Sequence, residues 1–324
     1  MKIITEEQAK QLLPISQAID VVQQAFKDYA TGVITTGKRV TLELKNAYDD
    51  ACLFLPALHR HKNFFSLKYA ASFPSCAEKN LPTVQSVIWL FSAETGQVVA
   101  MIHANALTAI KTGAASAVAT RHLSNANARI LTIIGAGEQA KTQLAGVDQV
   151  CDLEEIRIVD LNPDRSANLK RWGVEQVNSA IRIVTSMAAE EAVRNADIVI
   201  TCTTSSKPVL HGHWLKPGAH INAIGSFTPK MQEIDEQTVI RANRIVTDSE
   251  KETLRCAGDL IVPMDKGLIS RKTDILELGD IIIKKSEGRR SDSEVTLYES
   301  VGFAPLDLAV AIATYEQSIS NSNE

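Results

Sequence analysis

The sequence predicts an α/β fold in which a doubly wound parallel sheet is joined to a smaller α+β domain. Between residues 128 and 248, short apolar segments alternate with helical segments, the pattern of βαβ units that build a parallel sheet covered by helices. A Gly-x-Gly-x-x-Ala motif follows the first apolar segment, as at the first strand-to-helix turn of a Rossmann-type sheet. The predicted parallel strands are residues 130–134, 156–159, 181–184, 198–201, 220–224 and 244–247.

The N-terminal region has a different pattern, which predicts the smaller domain. Apolar residues first recur at helical spacing, and strand-like stretches follow, two of which are joined by a tight turn. The last helical segment is rich in small side chains, which allows close packing against another backbone. The predicted elements are a helix over residues 6–29, strands over residues 39–44, 64–70 and 84–91, a turn at residues 94–96 and a helix over residues 106–122.

The glycine motif, from Gly135 to Ala140, predicts a dinucleotide-binding site. Gly135 permits the tight turn, Gly137 lets the backbone approach a pyrophosphate, and the small Ala140 lets helix and strand pack together. The N–H groups at the start of the helix would face the phosphate charge. Asp160 ends the next predicted strand, where an acid can bind the adenosine ribose hydroxyls. The alternative is an ordinary glycine turn and a surface aspartate, but strand, turn and acid occur together here.

Two domains fit these patterns and the length of 324 residues. Residues 116–300 form the predicted NAD(P)-binding Rossmann domain. The segment from residue 301 carries an apolar helix that the nucleotide sheet does not need, so we expect it to return to the first domain. Residues 1–115 and 301–324 therefore form the second predicted domain, which would bind the substrate.

Composition favours small-molecule chemistry. A net charge of −4 with mixed signs provides no basic stripe for nucleic acid and no polybasic anchor for a membrane. No apolar run is long enough to span a membrane, and the start of the chain does not resemble a signal peptide. The five cysteines are scattered without a Cys-x-x-Cys pair, which favours reduced thiols and a cytosolic location.

Three cations of the N-terminal region are candidates for binding a substrate anion. Arg39 begins a predicted strand, Lys68 lies within an apolar strand, and Lys111 interrupts a helix of small apolar residues. A charge in such a place is costly without a partner, and a bound carboxylate can supply one. A lysine whose pKa is lowered by burial and neighbouring cations can also donate a proton. The alternative is that these side chains reach solvent or pair with Glu43 or Glu94.

Two further motifs are assigned no catalytic role. His211 and His213 resemble a metal pair, but no third ligand is obvious nearby, so no metal site is predicted. Cys202 follows an apolar strand without a visible base, which argues against a nucleophile. Thr203, beside it, is expected to contact the cofactor.

Five motifs in order along the chain resemble those of the ornithine cyclodeaminase/mu-crystallin family, and together they span nearly the whole sequence. They are Lys68-Tyr-Ala-Ala-Ser-Phe-Pro74, Leu107-Thr-Ala-Ile-Lys-Thr-Gly-Ala-Ala-Ser116, Gly135-Ala-Gly-Glu-Gln-Ala140, Ala223-Ile-Gly-Ser-Phe-Thr-Pro229 and Ser300-Val-Gly-Phe-Ala304.

The resemblance implies a nucleotide domain paired with a substrate-binding and dimerisation domain, and therefore a homodimer. It implies that Arg39, Lys68 and Lys111 hold the substrate carboxylate, and Lys68, or a water that it orients, is the candidate for proton control. The cofactor-binding residues, including the two glycines of the turn, would be Thr83, Gly135, Gly137, Glu138, Gln139, Asp160, Thr203, Ile221, Asn222, Ala223, Ile224 and Ser300.

The chain departs from the family pattern at two positions. Lys111 stands where the family usually has arginine, so a bidentate fork is replaced by a single ammonium group. Phe227 stands where the cyclodeaminase branch has an acid/base aspartate, two residues after the loop glycine Gly225. Because phenylalanine cannot move a proton, ring closure with loss of ammonia is disfavoured, whereas reduction of an imine remains feasible.

We therefore expect an NAD(P)H-dependent reductase of a small cyclic imino acid, with Δ1-pyrroline-2-carboxylate reduced to L-proline as the first candidate. Asp160 favours NADH because an acid repels the 2′-phosphate of NADPH, while Arg165 leaves NADPH possible. The alternatives are an ornithine cyclodeaminase, a ketimine reductase, an alanine dehydrogenase, or a mu-crystallin-like protein that binds NAD(P)H and a ligand with little turnover.

Overall fold

The computed structural model describes residues 1–44, 46, 50–79, 81–177, 180–185, 188–270 and 275–321. The chain divides into two compact units, one formed by Met1–Lys111 with Ala304–Glu324 and the other by Thr112–Phe303. The α/β class predicted from the sequence is confirmed, because one unit contains a parallel sheet with helices and the other a mixed sheet.

The first unit is a seven-stranded sheet with helices packed on one face. Its strands run in the order β1-β7-β6-β5-β4-β2, β3 also pairs with β4, and only the β1–β7 pair is parallel. The elements are β1 (Lys2–Ile4), α1 (Glu6–Leu12), α2 (Ile15–Ala30), β2 (Ile34–Thr36), β3 (Val40–Glu43), β4 (Ala51–His59), β5 (Phe64–Ser72), a 3-10 helix (Pro74–Lys79), β6 (Val84–Ser92), β7 (Val98–His103), α3 (Asn105–Leu123), which continues into the second unit, and the C-terminal helix (Ala304–Ser320).

One predicted element in this unit was wrong, and four of its strands were not predicted. The single helix expected over residues 6–29 is two helices, because Pro14 caps the second and the residue before a proline avoids helical geometry. Strands β1, β2, β4 and β7 were not predicted, so the predicted turn at residues 94–96 joins β6 to β7 and not two of the predicted strands. The longest of these four is β4. It contains Pro56, which has no N–H to donate, and which lies between the segments of β4 that pair with β2 and β3.

The two faces of this sheet differ in burial. Leu55, Lys68 and Ile88 lie opposite one another on β4, β5 and β6 and are buried on the face that carries the C-terminal helix. The next row across the sheet, which includes Phe54 and Tyr69, is only partly buried. A charged residue, Lys68, therefore lies on the buried face.

The second unit is an eight-stranded parallel sheet in the order β10-β9-β8-β11-β12-β15-β13-β14. Helix α3 packs closely here, as its small residues predicted, because a Cβ on Gly113 would lie 2.3 Å from the Thr142 carbonyl oxygen. The elements are β8 (Ile130–Ile134), α4 (Glu138–Asp148), β9 (Glu155–Val159), α5 (Pro163–Gln176), β10 (Arg182–Thr185), α6 (Ala189–Val193), β11 (Ile198–Thr201), a 3-10 helix (Gly212–Trp214), β12 (His220–Ala223), α7 (Glu236–Arg241), β13 (Arg244–Thr247), α8 (Glu250–Cys256), α9 (Gly258–Asp265), β14 (Ile275–Glu277), α10 (Leu278–Ile282) and β15 (Thr296–Glu299).

All six predicted parallel strands are present, with ends that agree within one residue, but the edge strand β14 and the strand β15, between β12 and β13, were not predicted. The buried polar residues Thr296 and Glu299 interrupt the apolar pattern that identified the other strands. Within the described ranges, no helix is both long and apolar enough to cross a membrane.

Candidate functional site

The turn between β8 and α4 contains two glycines in different surroundings. Gly135 has a φ of +100°, and a Cβ there would lie 2.8 Å from both the Cys202 carbonyl oxygen and Thr203 Cγ2. Gly137 has a φ of −81°, and a Cβ there would meet nothing within 4 Å. Neither strain nor packing demands a glycine at position 137, so its missing side chain leaves space for an external group.

That external group is expected to be an anion. Gly137 is the N-cap of α4 and provides no side-chain cap, so backbone N–H groups of the first helical turn are available to a ligand. Glu138 is exposed in this turn, and Gln139 Oε1 is buried without a partner among the described residues. The turn therefore fits the pyrophosphate of a dinucleotide.

Asp160 follows β9 and is held against the turn. Its Oδ2 accepts a hydrogen bond from the Ala136 N–H at 2.7 Å, and its Oδ1 accepts one from the Asn162 N–H at 2.8 Å. The next residue, Leu161, is fully exposed, and Arg165 in the first turn of α5 is also exposed. An acidic group is thus fixed at the end of the second strand, where a dinucleotide ribose binds in folds of this type.

Cys202 and Thr203 follow β11 beside the turn. The Cys202 thiol donates to the Gly135 carbonyl oxygen at 3.1 Å, and burial raises its pKa well above 9.0, with Glu233 and Asp160 adding to the effect. A neutral thiol is a poor nucleophile, in agreement with the sequence interpretation. The Thr203 N–H donates to the Glu233 carboxylate.

Several residues that the resemblance implied for the cofactor have buried side chains. Ile221, Asn222 and Ala223 are completely covered within β12, and Asn222 donates to Thr120 Oγ1 at 3.0 Å. Ile224 follows the strand and is 8% exposed. A ligand at the end of this strand could meet the backbone there but not these three side chains.

Two other predicted cofactor residues lie in different surroundings. The Ser300 hydroxyl donates to Asp248 Oδ2 at 2.6 Å and is buried. Thr83 is in the first unit, immediately before β6, where its side chain is exposed and its carbonyl oxygen accepts from the Phe73 N–H at 2.7 Å. Their contact with a cofactor stays a prediction.

The two predicted lysines of the first unit share one buried aspartate, and the third predicted cation, Arg39, lies close enough to lower the pKa of Lys68. Asp307 Oδ1, on the C-terminal helix, lies 2.9 Å from Lys68 Nζ and 3.0 Å from Lys111 Nζ. Lys68 Nζ also donates to Thr108 Oγ1 at 2.7 Å. Arg39 Nε and Nη1 and Asp307 Oδ2 are buried without a hydrogen-bond partner in the described parts of the chain. Three cations with one anion leave an excess of positive charge.

The environment changes the proton affinity of this cluster. Burial lowers the pKa of Lys68 to about 8, with Asp307 opposing the change and Lys111 and Arg39 adding to it. Burial alone would raise the pKa of Asp307, but Lys111 and Lys68 hold it below its ordinary value. Asp307 is therefore ionised at neutral pH, while Lys68 can both hold and release a proton.

Sequence reasoning did not identify Asp307, and its suggested acidic partners do not pair with these cations in the structure. Glu43 is exposed on β3, and Glu94 accepts a hydrogen bond from Asn63 at 3.2 Å. The signal for Asp307 was present, because it interrupts an apolar helix as Lys111 does.

The two histidines and Phe227 lie in the second unit. His211 Nδ1 is 3.1 Å from Asp235 Oδ2, and the His211 ring makes an edge contact with Trp214. No group of three or more His, Cys, Asp or Glu side chains in the described residues is arranged to hold a metal ion. Phe227 is half-buried in the loop after β12.

Comparison with known proteins supports the family suggested by the motifs. The family model described as ornithine cyclodeaminase/mu-crystallin matches residues 2–322. The chain is 34% identical over 319 residues to a Δ1-pyrroline-2-carboxylate reductase of Bacillus cereus, covering 98% of this chain and 97% of the relative. It is 33% identical to an alanine dehydrogenase of Archaeoglobus fulgidus, covering 99% and 96%.

Solved structures of related enzymes match this chain over nearly its whole length. The Thermococcus litoralis Δ1-pyrroline-2-carboxylate reductase in complex with NADH and L-proline matches with a TM-score of 0.95 at 31% identity, covering 99% of this chain and 98% of the other. An archaeal alanine dehydrogenase dimer with bound NAD matches with a TM-score of 0.92 at 32% identity, covering 99% and 97%. The chain therefore belongs to the ornithine cyclodeaminase/mu-crystallin family.

Proposed function

We propose that the protein reduces Δ1-pyrroline-2-carboxylate to L-proline with NADH. The observation that carries this proposal is the buried cluster in which Lys68 and Lys111 share Asp307 while Arg39 acts on Lys68 and has buried donors without a partner in the described residues. The positive charge in excess of Asp307 suits a substrate carboxylate. The glycine turn of the second unit suits the dinucleotide, and relatives that cover nearly the whole chain are reductases of this imino acid.

The carboxylate anchor would combine one guanidinium and two ammonium groups. Arg39 Nε and Nη1 are buried donors without a partner in the described residues, so its guanidinium group can donate to a substrate carboxylate, and a guanidinium can bind one as a bidentate fork. Lys111 cannot form such a fork, but Asp307 fixes its ammonium group at 3.0 Å. A substrate carboxylate would offset part of the positive charge that Asp307 alone leaves in excess.

The reaction needs a hydride and a proton. NADH, when bound, supplies the hydride that adds to the carbon of the C=N bond beside the carboxylate. The nitrogen must carry a proton so that the product is the neutral or protonated secondary amine. Lys68, with a pKa of about 8, can hold this proton at neutral pH, and its contacts with Thr108 Oγ1 and Asp307 Oδ1 keep its ammonium group in place.

NADH is the proposed cofactor because of Asp160. Its carboxylate is held at the turn by two backbone N–H groups, so it cannot easily move away from an added 2′-phosphate. The structural relatives named above contain NADH or NAD. Arg165 is exposed next to this site and keeps NADPH as a weaker alternative.

A homodimer is proposed from the open face of the first unit's sheet. Across β3, β4 and β5, Val40, Phe54 and Tyr69 form one row, with Leu42 in the next, and Val40 and Leu42 are 45% and 55% exposed. A contiguous apolar sheet face usually marks an interface. Leu42→Lys should lower the mass measured by light scattering after size exclusion from that of two chains to that of one. An unchanged mass would exclude this face as the interface.

The location is proposed to be cytosolic, since all five cysteines are free thiols in the structure and disulfides are rare in the cytosol.

Alanine dehydrogenase activity is the second candidate, because the archaeal enzyme of that name is as similar in sequence as the reductases. Both reactions need the same carboxylate anchor, so pocket size would distinguish them. Cyclodeaminase activity is disfavoured by Phe227, which cannot act as an acid or base. A binding protein without turnover would use the same cofactor turn.

The deciding experiment mixes purified protein with Δ1-pyrroline-2-carboxylate and follows the absorbance of NADH, then of NADPH. Pyruvate with ammonia, and ornithine, are run in parallel. Rapid oxidation with the cyclic imine is expected, with a Lys111→Met variant losing affinity for the imino acid and a variant of the exposed Lys62 behaving as wild type. Faster oxidation with pyruvate and ammonia, release of ammonia from ornithine, or cofactor binding without turnover would each replace the proposal by the corresponding alternative.

A further inference from the structure

One buried carboxylate connects two of the loops that follow the parallel strands beside the glycine turn. Glu233, which is 0% exposed, accepts a hydrogen bond from the Thr203 N–H after β11 through Oε1. Through Oε2 it accepts one from the Gly225 N–H after β12, at 2.6 Å. A single side chain thus holds the backbone of two loops at the carboxyl end of the sheet, where ligands bind in folds of this type.

The Thr203 loop packs tightly against both the glycine turn and the Gly225 loop. A Cβ on Gly135 would lie 2.8 Å from the Cys202 carbonyl oxygen, and a Cβ on Gly225 would lie 2.2 Å from the Thr203 carbonyl oxygen and 2.5 Å from the Glu233 carboxyl carbon. The turn, the Thr203 loop and the Gly225 loop therefore form a continuous close-packed series. A shift of the Thr203 loop would therefore displace the glycine turn that it contacts.

Glu233 is itself held in place by another buried acid. Asp259 Oδ1, at the start of α9, accepts hydrogen bonds from the N–H groups of Glu233 at 2.7 Å and Ile234 at 3.0 Å. The Glu233 carbonyl oxygen accepts from the Val209 and Leu210 N–H groups. Since an unpaired buried carboxylate is costly, its retention here requires the backbone bonds that it makes.

We propose that Glu233 is a positioning residue of the cofactor site, which holds the Thr203 and Gly225 loops against the glycine turn in the geometry that accepts a dinucleotide. It acts through backbone and not by contact with the cofactor. The inference rests on the proposed binding of NADH at this turn.

The test compares Glu233→Gln with Asp235→Asn. Asp235 is a suitable control because its carboxylate is also largely buried in the same unit and accepts backbone N–H groups, from Gly212 and Thr238, at the start of α7 and not at the turn. Glu233→Gln keeps one acceptor oxygen and turns an NH2 group toward a backbone donor, because each oxygen of Glu233 accepts one backbone N–H. In Asp235→Asn the amide oxygen can keep both backbone bonds of Oδ1, and the NH2 group faces His211 in place of Oδ2. The measurements are the dissociation constant of NADH from fluorescence titration, the melting temperature, and KM and kcat.

Glu233→Gln should raise the dissociation constant and the KM of NADH by about tenfold or more, with the KM of the imino acid changed by less than about twofold. Asp235→Asn should keep NADH affinity near that of wild type, because its bonds hold the start of α7 and not the loops at the turn. Wild-type NADH affinity in Glu233→Gln, or equal losses in both variants, would overturn the positioning role. Failure of the wild-type protein to bind NADH would instead reject the proposed cofactor.

A measurement on the wild-type protein applies if Glu233→Gln does not fold. The amide hydrogens of Thr203 and Gly225 should exchange slowly without NADH, at rates close to those of the β11 and β12 amides, because the carboxylate already holds them. Exchange as fast as that of exposed loop amides would show that Glu233 does not fix these loops.

Discussion

Replacement of Asp307 by Asn should shift the pH dependence of the reductase. Asp307 Oδ1 lies 2.9 Å from Lys68 Nζ, and among the influences on that lysine it is the largest that favours the charged form. An opposite charge this close changes a pKa by about 1–3 units, or about 1.4–4 kcal/mol. The pKa of Lys68 is about 8 in the wild-type protein. Without Asp307 it should fall to about 5–7.

The assay is kcat/KM for the imino acid at saturating NADH, between about pH 5 and 9. In the wild-type protein, kcat/KM should decrease above about pH 8 as the Lys68 ammonium loses its proton. In Asp307→Asn the decrease should begin about 1–3 pH units lower. Ionisation of the substrate is common to both proteins, so the difference between the two profiles reports on the enzyme.

Two control variants accompany this experiment. Glu316→Gln removes another carboxylate of the C-terminal helix, one that pairs with the exposed Lys62 at 2.9 Å, and should leave the profile unchanged. Asp307→Glu retains the charge and should keep the decrease near its wild-type position. An unchanged profile in Asp307→Asn, or an equal shift in Glu316→Gln, would refute the assignment of Lys68 as the titrating group.

The stability of Asp307→Asn provides an independent check. A lysine in the unfolded chain has a pKa near 10.5, so between the lowered folded pKa and 10.5 the unfolded state binds more protons. The free energy of unfolding contributed by Lys68 should therefore increase with pH in that window. The window should extend to lower pH in the variant, which urea titrations at several pH values can measure.

Three further predictions concern the second unit. Gly137→Ala should preserve the melting temperature, because space is open there, but weaken the binding of NADH in a fluorescence titration. Gly135→Ala, at a φ of +100°, should weaken NADH binding and also lower the free energy of unfolding in urea by about 1–3 kcal/mol. Asp160→Ser should raise kcat/KM with NADPH relative to NADH by about tenfold, and an unchanged ratio would exclude Asp160 as the discriminating group. In the wild-type protein, the free energy of unfolding should fall as the pH rises above 4.5, and Glu299→Gln should make this fall smaller. Burial raises the pKa of Glu299 well above 4.5, so the folded state keeps a proton that the unfolded chain releases, at up to about 1.4 kcal/mol per pH unit.

The parallel sheet was largely predictable because its strands are short apolar runs separated by helices. Strands β8, β11 and β13 have the predicted ends, and the glycine turn follows the first of them. Two of the strands that were missed break this rule for physical reasons. Strand β15 buries Thr296 and Glu299 at polar positions, and β4 contains Pro56 between two pairing partners. Apolar periodicity cannot detect a strand whose buried positions are polar.

The cations of the candidate site were predictable, but their pairing with Asp307 was not. Lys68 and Lys111 were recognised because each places a charge among apolar residues, and both are buried. Asp307 is 239 residues from Lys68 in sequence, so no local pattern could pair them. The C-terminal helix had been assigned to the same domain for its apolar character alone. Its one buried acid becomes meaningful only when the fold brings it to the lysines.

Buried charge by itself does not identify a site in this protein. The Asp235 carboxylate is largely buried, yet every bond that it makes satisfies local backbone, a threonine hydroxyl or His211, which accounts for it as a helix cap. The Asp307 cluster differs because its charges do not balance and Arg39 has buried donors without partners in the described structure. Gly137 differs in the same sense, since its missing side chain leaves space that the protein does not use. Unbalanced charge and unfilled space, more than burial, therefore indicate the ligand-binding sites of this protein.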